Sequence, residues 1–150
     1  MILRSELETH LHGMLATVAG IVGCKVAHKN IPFTPDAKVP YLRASIFVGE
    51  KYPITCGDDG HLEFGGFYQI DIRTPKSQGT TFQNNVIDLV NQHFKIGKHL
   101  DIKADHYFKL KSIAYGTGGQ TTVSDATRGS VEDLWDVNYI TVNWLAREPK

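Results

Sequence analysis

A change of hydrophobic period between Gly65 and Lys98 constrains the fold more than any other feature of the sequence. In the first part of this segment every second residue is apolar, up to Ile72. Such alternation predicts a strand with one buried face. Pro75 cannot donate an amide hydrogen to a neighbouring strand, so we expect pairing to end there.

In the second part, apolar residues spaced by three and four predict a helix over about residues 80–95. They are Phe82, Val86, Leu89, Val90 and Phe94. Thr80 and Gln83 have the spacing of a capping box at the start of this helix, and Gly97 is typical of its end. A strand followed by an amphipathic helix predicts a helix packed on one face of a sheet.

The rest of the chain supplies another helix and further strands. Leucines spaced by three and four predict an N-terminal helix from Ser5 to Val18, ending before Gly20. Period-two patterns predict strands within residues 24–30, 41–49, 106–116 and 134–146, and turn residues predict a hairpin from Glu50 to Phe64. The predicted fold is α/β of the α+β kind. It is a single domain over residues 1–150, with a mixed, mostly antiparallel sheet on which the N-terminal helix and the 80–95 helix pack.

Composition and charge argue against several classes of protein. Lys plus Arg number 16 and Asp plus Glu number 16, so the formal charge is zero. Generic nucleic-acid binding needs a basic excess, whereas low charge weakens repulsion between copies and favours self-association. The N-terminus contains charged residues before any long apolar run, so we expect no signal peptide and no membrane span. Cys24 and Cys56 are too far apart for a zinc motif; we expect buried thiols, with one disulfide as the alternative.

The histidines do not have the spacing of a metal or catalytic site. His10 and His12 are two residues apart, which directs them to different sides of a helix, so we expect solvated side chains. His106 follows Asp101 and Asp105 and resembles a base with an orienting carboxylate, but the sequence assigns it no nucleophile. We therefore predict no catalytic residue and no metal.

Glycines at positions 116, 118 and 119 resemble a phosphate-binding loop. No Lys-Ser or Lys-Thr follows, and the next element is predicted to be a strand, so a polar surface loop from Gly116 to Asp133 is the preferred interpretation. The hairpin carboxylates are too sparse for a calcium loop. We expect no cofactor.

Four motifs follow the N-terminal helix in a distinctive order: NIPFTP (Asn30–Pro35), PYLRASIFVGE (Pro40–Glu50), GGFYQIDIRTPKSQGT (Gly65–Thr80) and NNVIDLVNQHFKIGKHL (Asn84–Leu100). In this order they resemble the tail terminator, or tail completion, proteins of long-tailed phages, the family of the lambda tail terminator. The motifs are structural, so they identify a scaffold better than they identify functional atoms.

The resemblance implies a structural virion protein, not an enzyme, whose copies form a hexameric ring on the head-proximal end of the tail tube. Such a ring ends tube polymerisation and presents the head–tail joining surface. The implied partners are the chain itself, the tail tube protein and the head completion or connector protein. DNA passes through the ring without sequence-specific binding, no membrane is involved, and assembly takes place in the host cytoplasm. The alternatives are a head–tail connector or neck adaptor, and a small-ligand or nucleotide-binding enzyme that uses the glycine loop and His106.

A ring requires two different patches on each copy, and a cap requires surfaces for its partners. We expect the hairpin Glu50–Phe64 and the loop Gly116–Asp133 to project toward partners, because polar loops on a rigid sheet often carry contacts. The candidate interface residues are all polar or charged: Arg43, Asp58, Asp59, Arg73, Lys76, Lys98, Thr117, Thr121 and Arg128. For the arginines and lysines, acidic neighbours or DNA are the candidate partners, and solvated surface charge is the alternative.

Overall fold

A computed structural model describes residues 4–29, 31–36, 38–75, 80–97, 99, 106–117 and 135–149. In chain order the helices and strands are α1 Arg4–Val22, β1 Lys25–His28, β2 Tyr41–Val48, β3 Tyr52–Pro53, β4 His61–Pro75, α2 Thr81–His93, β5 Tyr107–Thr117 and β6 Trp135–Pro149. All predicted helices and strands are therefore present, and α2 follows β4 as the change of hydrophobic period predicted.

The strands form one sheet in the order β1-β2-β4-β6-β5, with β3 paired to β4 beside this path. Only the β1–β2 pair is parallel among these strands, and the other pairs are antiparallel. This arrangement confirms the predicted α+β fold with a mixed, mostly antiparallel sheet. Leu62 and Glu63, near the start of β4, pair with β3 to make the predicted hairpin.

Alternation along the strands directs one set of side chains toward the two helices, and we call this side the helix face. In β4 it carries Tyr68, Ile70 and Ile72, all fully buried. These residues belong to a buried apolar cluster that also contains residues of β2, β6 and β5 and is covered by α1 and α2. The helix residues in it are Leu7, Leu11, Leu15, Val18, Ala19, Val86 and Val90. Burial of this face is the main source of stability, because its apolar area leaves water on folding.

Among the described residues, the opposite side of the sheet, which we call the helix-free face, is covered at one end only. There the ring of Tyr41 lies 5.1 Å from that of Trp135 and 4.9 Å from that of Phe33, measured between centroids. Ala27 and Val137 complete this second apolar cluster. The end of β2 near Tyr41 is therefore covered on both faces.

Two predicted helix boundaries differ from the structure. Helix α1 continues through Gly20 and ends at Val22; the next residue, Gly23, has a φ of 73°, the left-handed conformation that glycine favours. The predicted capping box of α2 is wrong, because Thr80 makes no side-chain capping hydrogen bond. Gln83 instead donates from Nε2 to Thr74 Oγ1 and to Asp136 Oδ2, each at 2.9 Å. The side chain that resembled a local cap therefore ties the helix to two strands.

The cysteines and one histidine also differ from expectation. Cys24 is half-buried and Cys56 is exposed, and both are free thiols, so the expected buried pair is wrong for Cys56. Burial raises the pKa of the Cys24 thiol to about 11. His12 is not a solvated helix residue: its Nδ1 lies 2.5 Å from the hydroxyl of the buried Tyr68, and its ring centroid lies 4.3 Å from that of His28.

His12 lies between α1 and the sheet, and its surroundings there favour the neutral imidazole. Burial lowers its pKa, the neighbouring His28 lowers it further, and Glu8 offsets part of this effect. Burial also raises the pKa of Tyr68, so its hydroxyl stays protonated and donates to His12. A proton on His12 Nδ1 removes the acceptor of this hydrogen bond.

Protonation of His12 should therefore destabilise the protein. Because the pKa of His12 is lowered in the folded state, its contribution is complete above about pH 6.5 and is lost as the pH falls through the folded pKa. We expect the urea midpoint of wild type to fall between pH 7.5 and pH 5.5, and to fall less in His12→Gln. The same substitution at the exposed His61 is the control. Equal pH dependence in His12→Gln and wild type would contradict this prediction.

Gly66 of β4 lies between two neighbouring strands, opposite Val48 of β2 and Trp144 of β6. A Cβ atom at this position would stand 1.9 Å from the backbone oxygen of Phe47 and 2.8 Å from Cζ2 of Trp144. Since the nearest atom belongs to the backbone, the sheet itself must move to admit a methyl group.

Gly66→Ala should lower the free energy of unfolding by about 1–3 kcal/mol, the usual cost of overpacking. Gly13→Ala is the matched control, because nothing lies within 4 Å of the added methyl group and the site is helical. That variant should be more stable by about 0.5–1 kcal/mol. Urea unfolding followed by circular dichroism measures both, and equal stability of Gly66→Ala and wild type would refute the close approach.

Candidate assembly surfaces

The residues predicted to contact partners lie in several different parts of the fold. Arg43 is exposed on the helix-free face of β2, and Asp58 and Asp59 are exposed in the turn of the β3–β4 hairpin. Thr117 is the last residue of β5. Four further candidates lie outside the described residues: Lys76, Lys98, Thr121 and Arg128. The described candidates therefore lie on β2, in the hairpin turn, on β4 and at the end of β5.

Arg73 is not the solvated surface charge that one interpretation of the sequence allowed. Its side chain is 8 % exposed, and it lies in β4 opposite Tyr41 of β2 and Val137 of β6. Those two neighbours belong to the apolar cluster that covers this end of the helix-free face. Alternation predicts the face toward which a residue points, but it does not predict whether a distant segment covers that face.

Polar contacts brace the base of the hairpin, which is the first of the two segments predicted to project. Glu63 accepts hydrogen bonds from the Tyr52 hydroxyl at 2.6 Å and from Arg147 Nε at 2.7 Å. These two bonds lower the pKa of Glu63 and keep its carboxylate charged. Lys51 Nζ lies 2.6 Å from Oε1 of the buried Glu148. The hairpin is thus anchored to β6, which makes it a firm support for its turn.

The turn of the hairpin carries the two exposed carboxylates. The Thr55 hydroxyl oxygen accepts a hydrogen bond from the His61 amide at 2.6 Å. Gly57 has a φ of 91°, a left-handed conformation that lets the chain reverse. Asp58 and Asp59 follow directly and face solvent. The hairpin turn therefore presents a local negative charge, although the chain as a whole has a formal charge of zero.

The uncovered part of the helix-free face combines aromatic and amide side chains. Phe47 and Phe67 stack with centroids 4.5 Å apart, and Phe47 is 49 % exposed. Nearby, Asn143 donates from Nδ2 to Ser112 Oγ at 2.9 Å across the β6–β5 pair. Exposed aromatic rings held in place by stacking are typical of protein contact surfaces. The structure therefore adds this face to the hairpin, the surface that the sequence patterns had already favoured for partners.

A cavity of about 440 Å³ beside the hairpin tests the alternative enzyme interpretation. Three histidines contribute to its lining, namely His61, His99 and His106. The ring of His99 stacks on that of Tyr107 with centroids 4.8 Å apart. Arg147 Cζ lies over the Tyr107 ring, 5.6 Å from its centroid. Across the described part of the chain, no three His, Cys, Asp or Glu side chains come together in a way that could hold a metal ion. The predicted carboxylates Asp101 and Asp105 lie outside the described residues.

Gly116 stood in both the predicted strand of residues 106–116 and the predicted glycine loop. It belongs to β5 and pairs with Tyr139 of β6, so the strand assignment is confirmed. Gly118 and Gly119 lie outside the described residues, as does the rest of the predicted loop up to Asp133. Among the described helices, none is both long and apolar enough to cross a membrane.

Comparisons with known proteins identify the scaffold. A family model described as phage tail terminator protein matches residues 5–144. No curated protein matches the chain. A solved structure, known only by a sequence identifier, aligns with a TM-score of 0.68 at 17 % identity, covering 97 % of this chain and 96 % of that one. This likeness supports the fold, while the family match covers both helices and most of the sheet. The chain therefore belongs to the phage tail terminator family and has a structural role in phage tails.

Proposed function

We propose that copies of this chain form a hexameric ring that caps the head-proximal end of the tail tube. The ring ends tube polymerisation and provides the surface to which the head is joined. The observation that carries this proposal is the family match over residues 5–144, which includes every described element apart from the ends of α1 and β6. The role is architectural and requires no bond to be made or broken.

The physical demands of a cap agree with the fold. A ring needs a heterologous interface whose rotation closes, and a cap needs one annular face that fits the last tube ring and another that rejects further tube subunits. A sheet held by one continuous apolar cluster supplies a rigid body for such faces. The formal charge of zero means that the assembled copies repel one another little.

The proposed partners are the chain itself, the tail tube protein and the head completion or connector protein. The finished ring is a virion component at the head-proximal end of the tail, assembled in the host cytoplasm. DNA crosses its central opening during ejection, and no sequence-specific contact is needed for that passage.

Inactivation of the gene in the phage tests the proposal. We expect overlong tails by negative-stain electron microscopy, because nothing stops the growing tube, and we expect a normal length distribution when the wild-type chain is supplied in trans. Tails of normal length that fail to join heads would instead identify a neck adaptor. A thermal shift of the purified chain with nucleotides or divalent cations would support the enzyme alternative, since ligands that bind only the native state raise its stability.

The hairpin carboxylates give a second test. Asp58→Lys combined with Asp59→Lys should weaken capping or head joining about tenfold, because reversed charge at a contact rim slows association. The control is Asp88→Lys, which makes the same kind of charge change at an exposed position of α2. Tail length and plaque titre in the complementation assay measure both variants. Equal titres for hairpin and control variants would exclude the hairpin turn as a contact.

A further inference from the structure

The outer edge of β2 is paired along only half of its length. Strand β1 pairs with residues Tyr41 to Ala44, in parallel. Beyond that point, Ser45 to Val48 pair with β4 on one side, and no other described strand pairs with them on the opposite side. An edge of this kind presents backbone groups that can pair with another chain.

The hydrogen-bond pattern indicates which backbone groups face the open side. Gly49 donates its amide hydrogen to the Gly65 oxygen at 2.7 Å, which continues the β2–β4 register by one residue. In an antiparallel pair, residues alternate between bonding to the partner and facing away from it. The N–H and C=O groups of Ile46 and Val48 therefore face away from β4, toward the open side.

A groove lies along this open edge. It is a cavity of about 420 Å³, and its lining includes Lys29 and Ile31 of the segment after β1 together with Ser45, Ile46 and Phe47 of β2. The chain that leaves β1 therefore does not fill the space beside β2. Residues 45–48 contain neither a proline nor a charge, the usual devices by which an edge strand is protected from pairing.

The other edge of the sheet, β5, is also covered over half of its length. Its first half is bridged by Ile96 and His99, and Gly97 donates to the Leu110 oxygen at 2.8 Å. A register shift follows between Leu110 and Ser112. From Ser112 to Thr117, β5 pairs with β6, and no other described segment pairs with its outer side.

The same alternation, carried across the sheet, predicts the outward groups of β5. If odd residues of β4 face β2, its even residues face β6, and the odd residues of β6 face β5. After the register shift, Ser112 and Ala114 thus face β6, and the N–H and C=O groups of Ile113 and Tyr115 point outward. The outward position of the Leu110 oxygen before the shift agrees with this assignment.

We propose that β5 of one copy pairs with β2 of the next copy, so that the sheet continues from subunit to subunit around the ring. This inference rests on the proposed ring and deepens it by assigning the contact between neighbours. The two edges run in opposite directions, since three antiparallel pairs separate β2 from β5, and the junction is therefore antiparallel. The two unpaired stretches, residues 45–48 of β2 and 112–117 of β5, also lie at the same height along the strands. The register across the sheet shows this: Phe47 pairs with Phe67, Phe67 with Asn143, and Asn143 with Ser112.

The occupant is a second copy because the two open edges complement each other. They are different surfaces on opposite sides of the subunit, as a heterologous interface requires. Pairing the outward residues places Val48 opposite Ile113 and Ile46 opposite Tyr115. In this register the exposed residues Glu50 and Lys111 stand opposite each other, and opposite charges across a strand pair are favourable. Pairing ends at Ser45, because β1 already occupies the edge of β2 from Tyr41 to Ala44.

An intermolecular disulfide tests this register. Phe47 and Ala114 stand opposite each other in it as a pair without backbone hydrogen bonds, with Cα atoms about 4.5 Å apart, within disulfide range. Phe47→Cys with Ala114→Cys, in a chain carrying Cys24→Ser and Cys56→Ser, should give a ladder of cross-linked multimers on mild oxidation. Phe47→Cys with Ala16→Cys, at an exposed position of α1, is the matched control and should give dimers at most.

A second pair of variants tests the backbone itself. Val48→Pro removes the outward N–H, whereas Val48→Ala shortens the side chain and keeps it. We expect ring assembly, measured by native mass spectrometry alone and with purified tubes, to weaken at least tenfold in Val48→Pro and much less in Val48→Ala. Circular dichroism and the thermal midpoint report whether each variant is folded.

The outcomes distinguish failure of the proposed β2–β5 contact from failure of the proposed ring. Equal ladders in the Ala114 and Ala16 pairs, or no ladder in either while wild type assembles, overturn edge pairing and leave the proposed function intact. A wild-type chain that assembles neither alone nor on tubes overturns both proposals. A ladder specific to the Phe47 and Ala114 pair supports edge pairing even if Val48→Pro fails to fold.

Discussion

The pairing of β4 with neighbours on both sides is the constraint on which the rest of the structure depends. Its 15 residues pair along their whole length with β6, and its second half pairs with β2. Because side chains alternate along every strand, the register of β4 decides which residues of three strands meet the helices. A slip of one residue would expose Tyr68, Ile70 and Ile72 and bury their polar neighbours. The packing of the two helices on the sheet, the apolar cluster and the direction of the backbone groups at both sheet edges all follow from this register.

Much of the fold was predictable because hydrophobic period is a local property. The alternation up to Ile72 predicted β4, and apolar spacing predicted α2 almost to the residue, since the helix runs from Thr81 to His93. Motif order resembled the tail terminator family, and the family match confirms that resemblance. Helix ends were less predictable. Gly20 was expected to stop α1, but its cost in a helix is small and the packed turn around it continues to Gly23.

The candidate contact residues were only partly predictable. Asp58 and Asp59 lie where turn chemistry placed them, in an exposed hairpin. Arg73 was a candidate contact residue, with solvated surface charge as the alternative, yet it is buried in β4 opposite Tyr41 and Val137 of the second apolar cluster. The rings of that cluster come from distant parts of the chain, so no local pattern reports that they meet. The contact between His12 and Tyr68 was missed for the same reason, because 56 positions separate the two residues.

A structural role in tails also explains why polar side chains in this protein brace elements more than they line a reactive site. Gln83 joins α2 to two strands, and Glu63 joins the hairpin to β6. In the sequence, Gln83 resembled part of a local helix cap. In the proposed ring such bracing favours docking, because a loose hairpin or helix loses conformational entropy when a contact orders it.

The sequence by itself determined the elements, their buried faces and the family, because these depend on residue spacing and motif order within short stretches. Only the tertiary structure decided which strand is central, which edges stay open and which charged residues are buried. Those properties depend on contacts between distant segments, whose geometry is set by the packing of the whole sheet against its helices. Assembly surfaces belong to this second kind, since an edge or a face exists only when the sheet that bears it has formed.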